Sequence, residues 1–194
     1  MAASAGGLSA LSRVIGALPG DFPVPLVVVL HLDRRHRSLM AEILGRRTAL
    51  SVRQAAEGDT LAPGVVYIAP PDHHVLVNGD GSLSLSRSEL VHFVRPSADL
   101  LFESAAAAYR SRAIGVVLTG TGADGSVGAK AFNTTGGTLI AQDEDSSDFF
   151  GMPDATIKAA NVDFILALDE IAPALLALAG RSGDGSKIVE SGDS

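Results

Sequence analysis

The chain has 194 residues, 46% of them apolar and 19% charged, which fits one globular domain with a substantial core and excludes a disordered chain. No apolar run approaches the length of a membrane span, no basic-then-apolar leader opens the chain, and the absence of Cys excludes disulfides, thiolate metal sites and a Cys nucleophile. The expected location is therefore cytoplasmic. The net charge of −7 is uneven, +1 over residues 1–97 and −8 over residues 98–194, which argues against general nucleic-acid binding.

In chain order, a helix is predicted over Leu8 to Leu18, a strand over Pro23 to Leu30 and a helix over Ser38 to Gly45. A strand follows over Gly64 to Ala69. Next come the short runs HVLVN and SLSLS around the turn residues Gly79 to Gly81, the signal of an antiparallel hairpin. The remainder alternates: helix Ser97 to Arg112, strand Ala113 to Gly120, helix Ser126 to Thr135, strand Gly137 to Gln142, helix Asp154 to Ala160, strand Val162 to Leu168 and helix Asp169 to Ala179. The strands are almost continuously apolar, which suits a parallel sheet covered on both faces. The predicted fold is a three-layer α/β sandwich with a mostly parallel, doubly wound, Rossmann-like sheet and an antiparallel hairpin at one edge. The domain is expected to span residues 1–179, with a disordered Gly- and Ser-rich tail over 180–194. Six arginines (Arg34, Arg35, Arg37, Arg46, Arg47 and Arg53) cluster around His36, as a solvated face or as a docking patch for an acidic partner.

Ligands of open α/β sheets bind at the carboxyl ends of strands. That rule selects His31, directly after PVPLVVVL, and Asp124, in the loop GTGADG after AIGVVLTG. Ser4, ahead of Gly6 and Gly7 and a helix, is either an N-cap or a nucleophile beside peptide N–H groups. A serine nucleophile needs a His to take its proton and a carboxylate to orient that His, and Ser4, His31 and Asp124 supply the three parts. A rival reading remains open: Gly120 to Gly125 also satisfies G-x-G-x-x-G, and Asp143 stands where a ribose ligand would, as in a dinucleotide site.

Six ordered stretches resemble one family. They are SAGGLSAL (Ser4 to Leu11), VVVLHLD (Val27 to Asp33), PGVVYIAPPDHH (Pro63 to His74), RPSADLLFESAA (Arg95 to Ala106), GVVLTGTGADGSVGAKA (Gly115 to Ala131) and AQDEDSSDFFGMPDATIKAANVDFIL (Ala141 to Leu166). The chain is similar to the catalytic domain of the CheB-type chemotaxis protein-glutamate methylesterases. That resemblance implies hydrolysis of glutamate γ-methyl esters, and in some members glutamine deamidation, on methylated chemoreceptors or similar signalling proteins. It implies a Ser4–His31–Asp124 triad, no cofactor or metal, and oxyanion or substrate contacts from Ala5, Thr121, Met152 and His74. At position 5, where the family commonly carries Thr or Ala, Ala5 leaves only its peptide N–H as a donor, and Thr121 departs from the Met often found between the two glycines. With no receiver domain ahead of residue 1, a stand-alone member is expected, with a separate response regulator as a candidate partner. Only three residues precede Ser4, so the central strand that the family places there is expected to be truncated, unable to form and to leave an open slot. A silent, truncated interaction domain docking through the arginines is the remaining alternative.

Overall fold

A computed structural model describes residues 1–31 and 39–182, with side chains described to residue 180. The described strands are β1 (Ala2–Ala3), β2 (Leu26–Leu30), β3 (Ser51–Gln54), β4 (Val65–Ile68), β5 (His74–Val77), β6 (Leu83–Ser86), β7 (Ile114–Val117), β8 (Thr138–Gln142) and β9 (Phe164–Leu166). The helices are α1 (Gly7–Gly16), α2 (Met40–Gly45), α3 (Ala98–Tyr109), α4 (Lys130–Thr135), α5 (Gly151–Ala159) and α6 (Leu168–Ser182). Seven strands form one parallel sheet in the order β3-β4-β2-β1-β7-β8-β9. Strand order reverses around β1, the kind of switch point where α/β sheets place their sites.

Helices cover both faces, as the apolar strands require. Leu11, Val14 and Ile15 of α1, Leu44 of α2 and Ile171 of α6 pack with Val28, Leu118 and Ile140 on one face. On the other, Leu101 and Phe102 of α3, Phe132 and Met152 pack with Val29, Val117 and Leu139, where Phe102 and Phe132 meet edge to face at 5.6 Å. The hairpin forms as its own two-stranded sheet, β5 with β6, instead of extending the parallel sheet; Val75, Val77 and Leu83 pack against α3 in this second layer.

Three expectations are corrected. The central strand exists. Ala2 and Ala3 pair with Val29 and Leu30 of β2, and Ala2 pairs with Val117 of β7. Hydrogen bonds continue the ladder at both ends, from Val29 N–H to the Met1 carbonyl and from His31 N–H to the Ala3 carbonyl. Two residues suffice because neighbours on both sides supply partners, so an isolated strand's length is no guide here. The expected slot survives only below this point, as an apolar cavity of about 380 Å³ between the starts of β2 and β7, lined by Met1, Val27, Phe102, Ile114 and Leu175.

The helix expected from Ser126 is also shorter. Gly125 adopts φ 100°, and a Cβ on Gly128 would lie 2.4 Å from the Asp99 carbonyl oxygen, so residues 124–129 form turns pressed against α3 and α4 starts only at Lys130. At the other end α6 runs past Ala179 to Ser182; the rest of the proposed tail lies outside the described residues, as do Arg34, Arg35, His36 and Arg37. No described helix is long and apolar enough to cross a membrane.

Candidate active site

The residues that directly follow β1 and β2, Ser4 and His31, meet the loop after β7 at one sheet edge. Ser4 follows Ala3 directly, and its N–H donates to the Thr119 carbonyl at 3.0 Å, so the residue is tied to the end of β7 as soon as its strand ends. The chain then turns sharply: Gly6 has φ 75°, a left-handed conformation that suits glycine, and a Cβ there would meet the Asp148 carboxylate at 2.7 Å. Gly7 opens α1 pressed so close to Ala3 and Leu30 that an added Cβ would lie 2.6 and 2.7 Å from them. These close approaches explain the Gly-Gly pair. They carry Ser4 from the sheet into the helix start without room for a longer connection.

Gly120 performs the same service from the β7 side. Its N–H donates to the Phe149 carbonyl, its carbonyl accepts from Met152 N–H, and a Cβ would fall 2.4 Å from Met152 Sδ and 2.9 Å from Ser4 Cβ. Thr119 joins the two loops: its hydroxyl accepts from Phe149 N–H at 2.8 Å and lies 3.1 Å from the Ala5 carbonyl. Gln142 accepts Thr119 N–H through its side-chain oxygen at 2.8 Å.

His31 and Asp124 meet directly. His31 Nε2 lies 2.8 Å from Asp124 Oδ2, with the His side chain 13% and the Asp side chain 4% exposed. Asp124 accepts three further hydrogen bonds, from the Ser97 hydroxyl at 2.7 Å, Ala98 N–H at 2.6 Å and Asp99 N–H at 3.2 Å. Burial raises its pKa, but the bonds from His31, Ala98 and Ser97 outweigh burial and hold the carboxyl below the ordinary carboxylate value. Asp124 is thus an anion that accepts from His31 Nε2–H, which leaves Nδ1 bare on the other side of the ring, the form a general base requires. Among the described residues no hydrogen bond joins Ser4 Oγ to His31. What brings them together is the backbone, through the His31 N–H bond to Ala3.

The remaining expected residues fall as follows. Ala5 and Thr121 flank Ser4 from the α1 and β7 loops, and their peptide N–H groups have no acceptor among the described residues, as an oxyanion site needs. Met152 is fully buried under Gly120 and supports the loop from below. His74 is fully buried behind Asp124, its Nε2 3.0 Å from the Glu89 carbonyl and its Nδ1 3.1 Å from Ser97 N–H. A shallow cleft beside Ser4 is lined by Gly6, Gly7, Ser9, Leu30 and Arg47.

Sequence reasoning missed Ser97, Asp99 and Thr119. RPSAD signals a helix start, and α3 begins there, but Ser97 makes no cap bond of its own; Asp124, 26 residues beyond Ala98, caps α3 by accepting from Ala98 N–H and from the Ser97 hydroxyl. Asp99 returns the favour, its Oδ1 accepting from Gly125 N–H at 2.9 Å and Gly128 N–H at 2.7 Å. Its Oδ2 has His92 Nε2 at 3.2 Å but no well-directed hydrogen bond, and burial foremost raises this carboxyl.

That clamp removes the dinucleotide reading. The N–H groups of Gly125 and Gly128 that would cradle a phosphate are taken by Asp99, two buried carboxylates face the loop, and Asp143 accepts from Ser146 within a local turn. Of the arginine cluster, the three described members each have a partner on their own chain: Arg46 pairs with Glu42 at 2.6 Å, Arg53 with Asp59 at 3.3 Å, and Arg47 reaches Ser12 at 3.5 Å. No group of three metal-ligating side chains occurs among the described residues.

A doubly wound α/β domain with a His–Asp pair and a glycine-flanked serine at the switch point of its sheet belongs, by architecture, to the hydrolase-like α/β proteins. The comparisons with known proteins narrow that class. The family model described as CheB methylesterase matches residues 1–175. A crystal structure of the Thermotoga maritima CheB methylesterase catalytic domain superposes with a TM-score of 0.87 at 37% identity, covering 91% of this chain and 95% of that one. A Leptospira interrogans protein that carries the protein-glutamate methylesterase/protein-glutamine glutaminase name provisionally is 37% identical over 175 residues, 90% of this chain and 91% of the relative. A Burkholderia lata protein with the same name is 44% identical over 177 residues, 91% of this chain but 53% of the relative. The chain belongs to the CheB methylesterase family, and with it to the carboxylic ester hydrolases.

Proposed function

We propose that the chain hydrolyses glutamate γ-methyl esters on a methylated chemoreceptor or similar signalling protein in the cytoplasm, with glutamine deamidation as a second activity of the same site. The observation that carries this reading is the ionised Asp124 bonded to His31 Nε2, at the sheet edge that also holds Ser4. Family membership and the names of the relatives support the ester substrate.

In this mechanism His31 Nδ1 accepts the Ser4 hydroxyl proton as Oγ attacks the ester carbonyl. The charge that develops on the carbonyl oxygen is met by the N–H groups of Ala5 and Thr121, fixed in place beforehand by the turn at Gly6 and the bonds at Gly120. Asp124 stabilises the imidazolium without taking its proton. His31 then returns the proton to the departing methanol, and a water deprotonated by His31 releases the glutamate. With a glutamine side chain the leaving group is ammonia and the remaining steps are the same.

The test is methanol release from methylated receptor membranes, with hydrolysis of p-nitrophenyl acetate in parallel. Ser4→Ala should lose up to ~10⁶-fold in kcat, the scale of removing a serine nucleophile from a triad. A folded wild-type protein inert on both substrates, or a Ser4→Ala variant as active as wild type, overturns the reading.

A further inference from the structure

Asp124 has a second line of support that leads away from His31 and ends on an imidazole sealed from solvent. His74, at the start of β5, is fully buried. Its Nδ1 lies 3.1 Å from Ser97 N–H and its Nε2 3.0 Å from the Glu89 carbonyl oxygen. An amide N–H only donates and a carbonyl only accepts, so these two contacts specify the tautomer: Nδ1 bare, Nε2 protonated, the ring neutral. The environment agrees. Burial lowers the His74 pKa, the bond to Glu89 opposes it, and the Arg95 charge lowers it further against the Asp124 and Asp72 charges, which raise it.

Ser97 explains why such a ring is needed. A helix N-cap ordinarily turns its hydroxyl back onto its own helix, whereas the Ser97 hydroxyl is spent on Asp124 Oδ1 and Asp124 takes the first N–H groups of α3 in its place. Ser97 therefore has no hold on its own helix through its side chain. Its position is fixed from behind, by the bond from its N–H to His74.

We propose that His74 is a positioning residue for the esterase reaction, holding Ser97 through Nδ1 so that the Ser97 hydroxyl and the α3 N-terminus keep Asp124 in line with His31 Nε2. The proposal rests on the Ser4–His31–Asp124 reading, and its test separates the two. His74→Asn places an amide oxygen near the position of Nδ1, and His74→Gln places its amide near the position of Nε2. A core-filling role treats these two variants alike; a positioning role does not. His74→Asn should keep kcat within about 3-fold of wild type. His74→Gln should lower it about 10- to 100-fold, the size set by one hydrogen bond to a charged group, with KM changed little. Ser97→Ala should reproduce the His74→Gln loss, and combining the two should cost no more than the larger single effect, because both act along one path.

The second readout is the His31 ring N–H proton resonance, which reports the bond to Asp124 whether or not the protein turns over ester. It should be retained in His74→Asn and displaced or broadened in His74→Gln and Ser97→Ala. Equal losses in the Asn and Gln variants, or multiplicative losses in the double variant, overturn the proposal in favour of packing. Should wild type prove inert, the esterase reading fails alone, and an unchanged His31 resonance in the folded Ser97→Ala protein then overturns the relay. Ser97→Ala also serves if His74→Gln does not fold, since it removes one exchangeable hydroxyl and leaves the core intact.

Discussion

Gly120→Ala tests, with a single methyl group, the geometry around Ser4, the proposed nucleophile. The new Cβ would stand 2.4 Å from Met152 Sδ and 2.9 Å from Ser4 Cβ, both closer than carbon and sulfur atoms approach without movement. Met152 is fully buried, so its sulfur has no solvent to retreat into. Overpacking of this kind costs about 1–3 kcal/mol, which for a domain of this size lowers Tm by about 2–12 °C. Ser4 feels the second contact through its own Cβ, one bond from Oγ, and a displacement approaching 1 Å of a reacting group costs ~10²-fold in rate. The two contacts can be separated. In a Met152→Val background the Gly120→Ala substitution meets no sulfur, so its stability cost should fall by about 1 kcal/mol or more, as a contact pair predicts, while kcat stays low. Thermal and urea unfolding, with p-nitrophenyl acetate hydrolysis, of the four proteins measure both. A Gly120→Ala protein with wild-type Tm and wild-type kcat would refute the reasoning, as would full recovery of kcat in the double variant.

Other outcomes follow from neighbouring contacts. Asp124→Asn keeps the size of the side chain but removes the anion that orients His31, and kcat should fall by ~10⁴-fold by analogy with serine triads, read by the same hydrolysis assay. Thr119→Val leaves Phe149 N–H without its 2.8 Å acceptor and should cost about 1–3 kcal/mol in urea unfolding. Asp99→Asn keeps an oxygen for Gly125 and Gly128 and should be far milder than Asp99→Ala, which strands both N–H groups; thermal unfolding ranks the two. For pH, the lowered pKa of His74 means that the unfolded chain binds a proton there that the folded chain refuses. Its contribution to stability is complete above the ordinary histidine value of about 6.5 and is lost as pH falls below it, so His74→Asn should flatten the decline of wild-type stability between pH 7.5 and 5.5. The lowered pKa of Asp124 acts further down: its contribution is complete above about pH 4 and lost as pH falls through the folded value.

The layered fold and the meeting of Ser4, His31 and Asp124 at one sheet edge were legible because they depend on local patterns: apolar runs end at His31 and just before the Asp124 loop, and glycines follow Ser4. What escaped was tertiary. A two-residue strand has no pattern of its own, and β1 exists because β2 and β7 offer backbone partners on both sides. Residues 126–129 read as helix by composition, but Asp99 draws the N–H groups of Gly125 and Gly128 into turns instead. The hairpin was legible and its attachment was not, since its apolar residues fit α3 as well as a sheet edge. Ser97 carried a correct helix-start signal whose bonding partner lay 27 residues away.

The dipeptide Ala2–Ala3 divides between the two faces of the sheet, Ala3 belonging to the core under α1 and Ala2 to the core under α3. Gly7 lies close against Ala3 and Leu30, and Gly120 lies close against Ser4, the proposed nucleophile, and Met152. Gly6, Gly7 and Gly120 therefore have no room for a side chain, and under the proposed function new substrate preferences would be written in side chains at the outer rim of the cleft beside Ser4, such as Ser9 and Arg47.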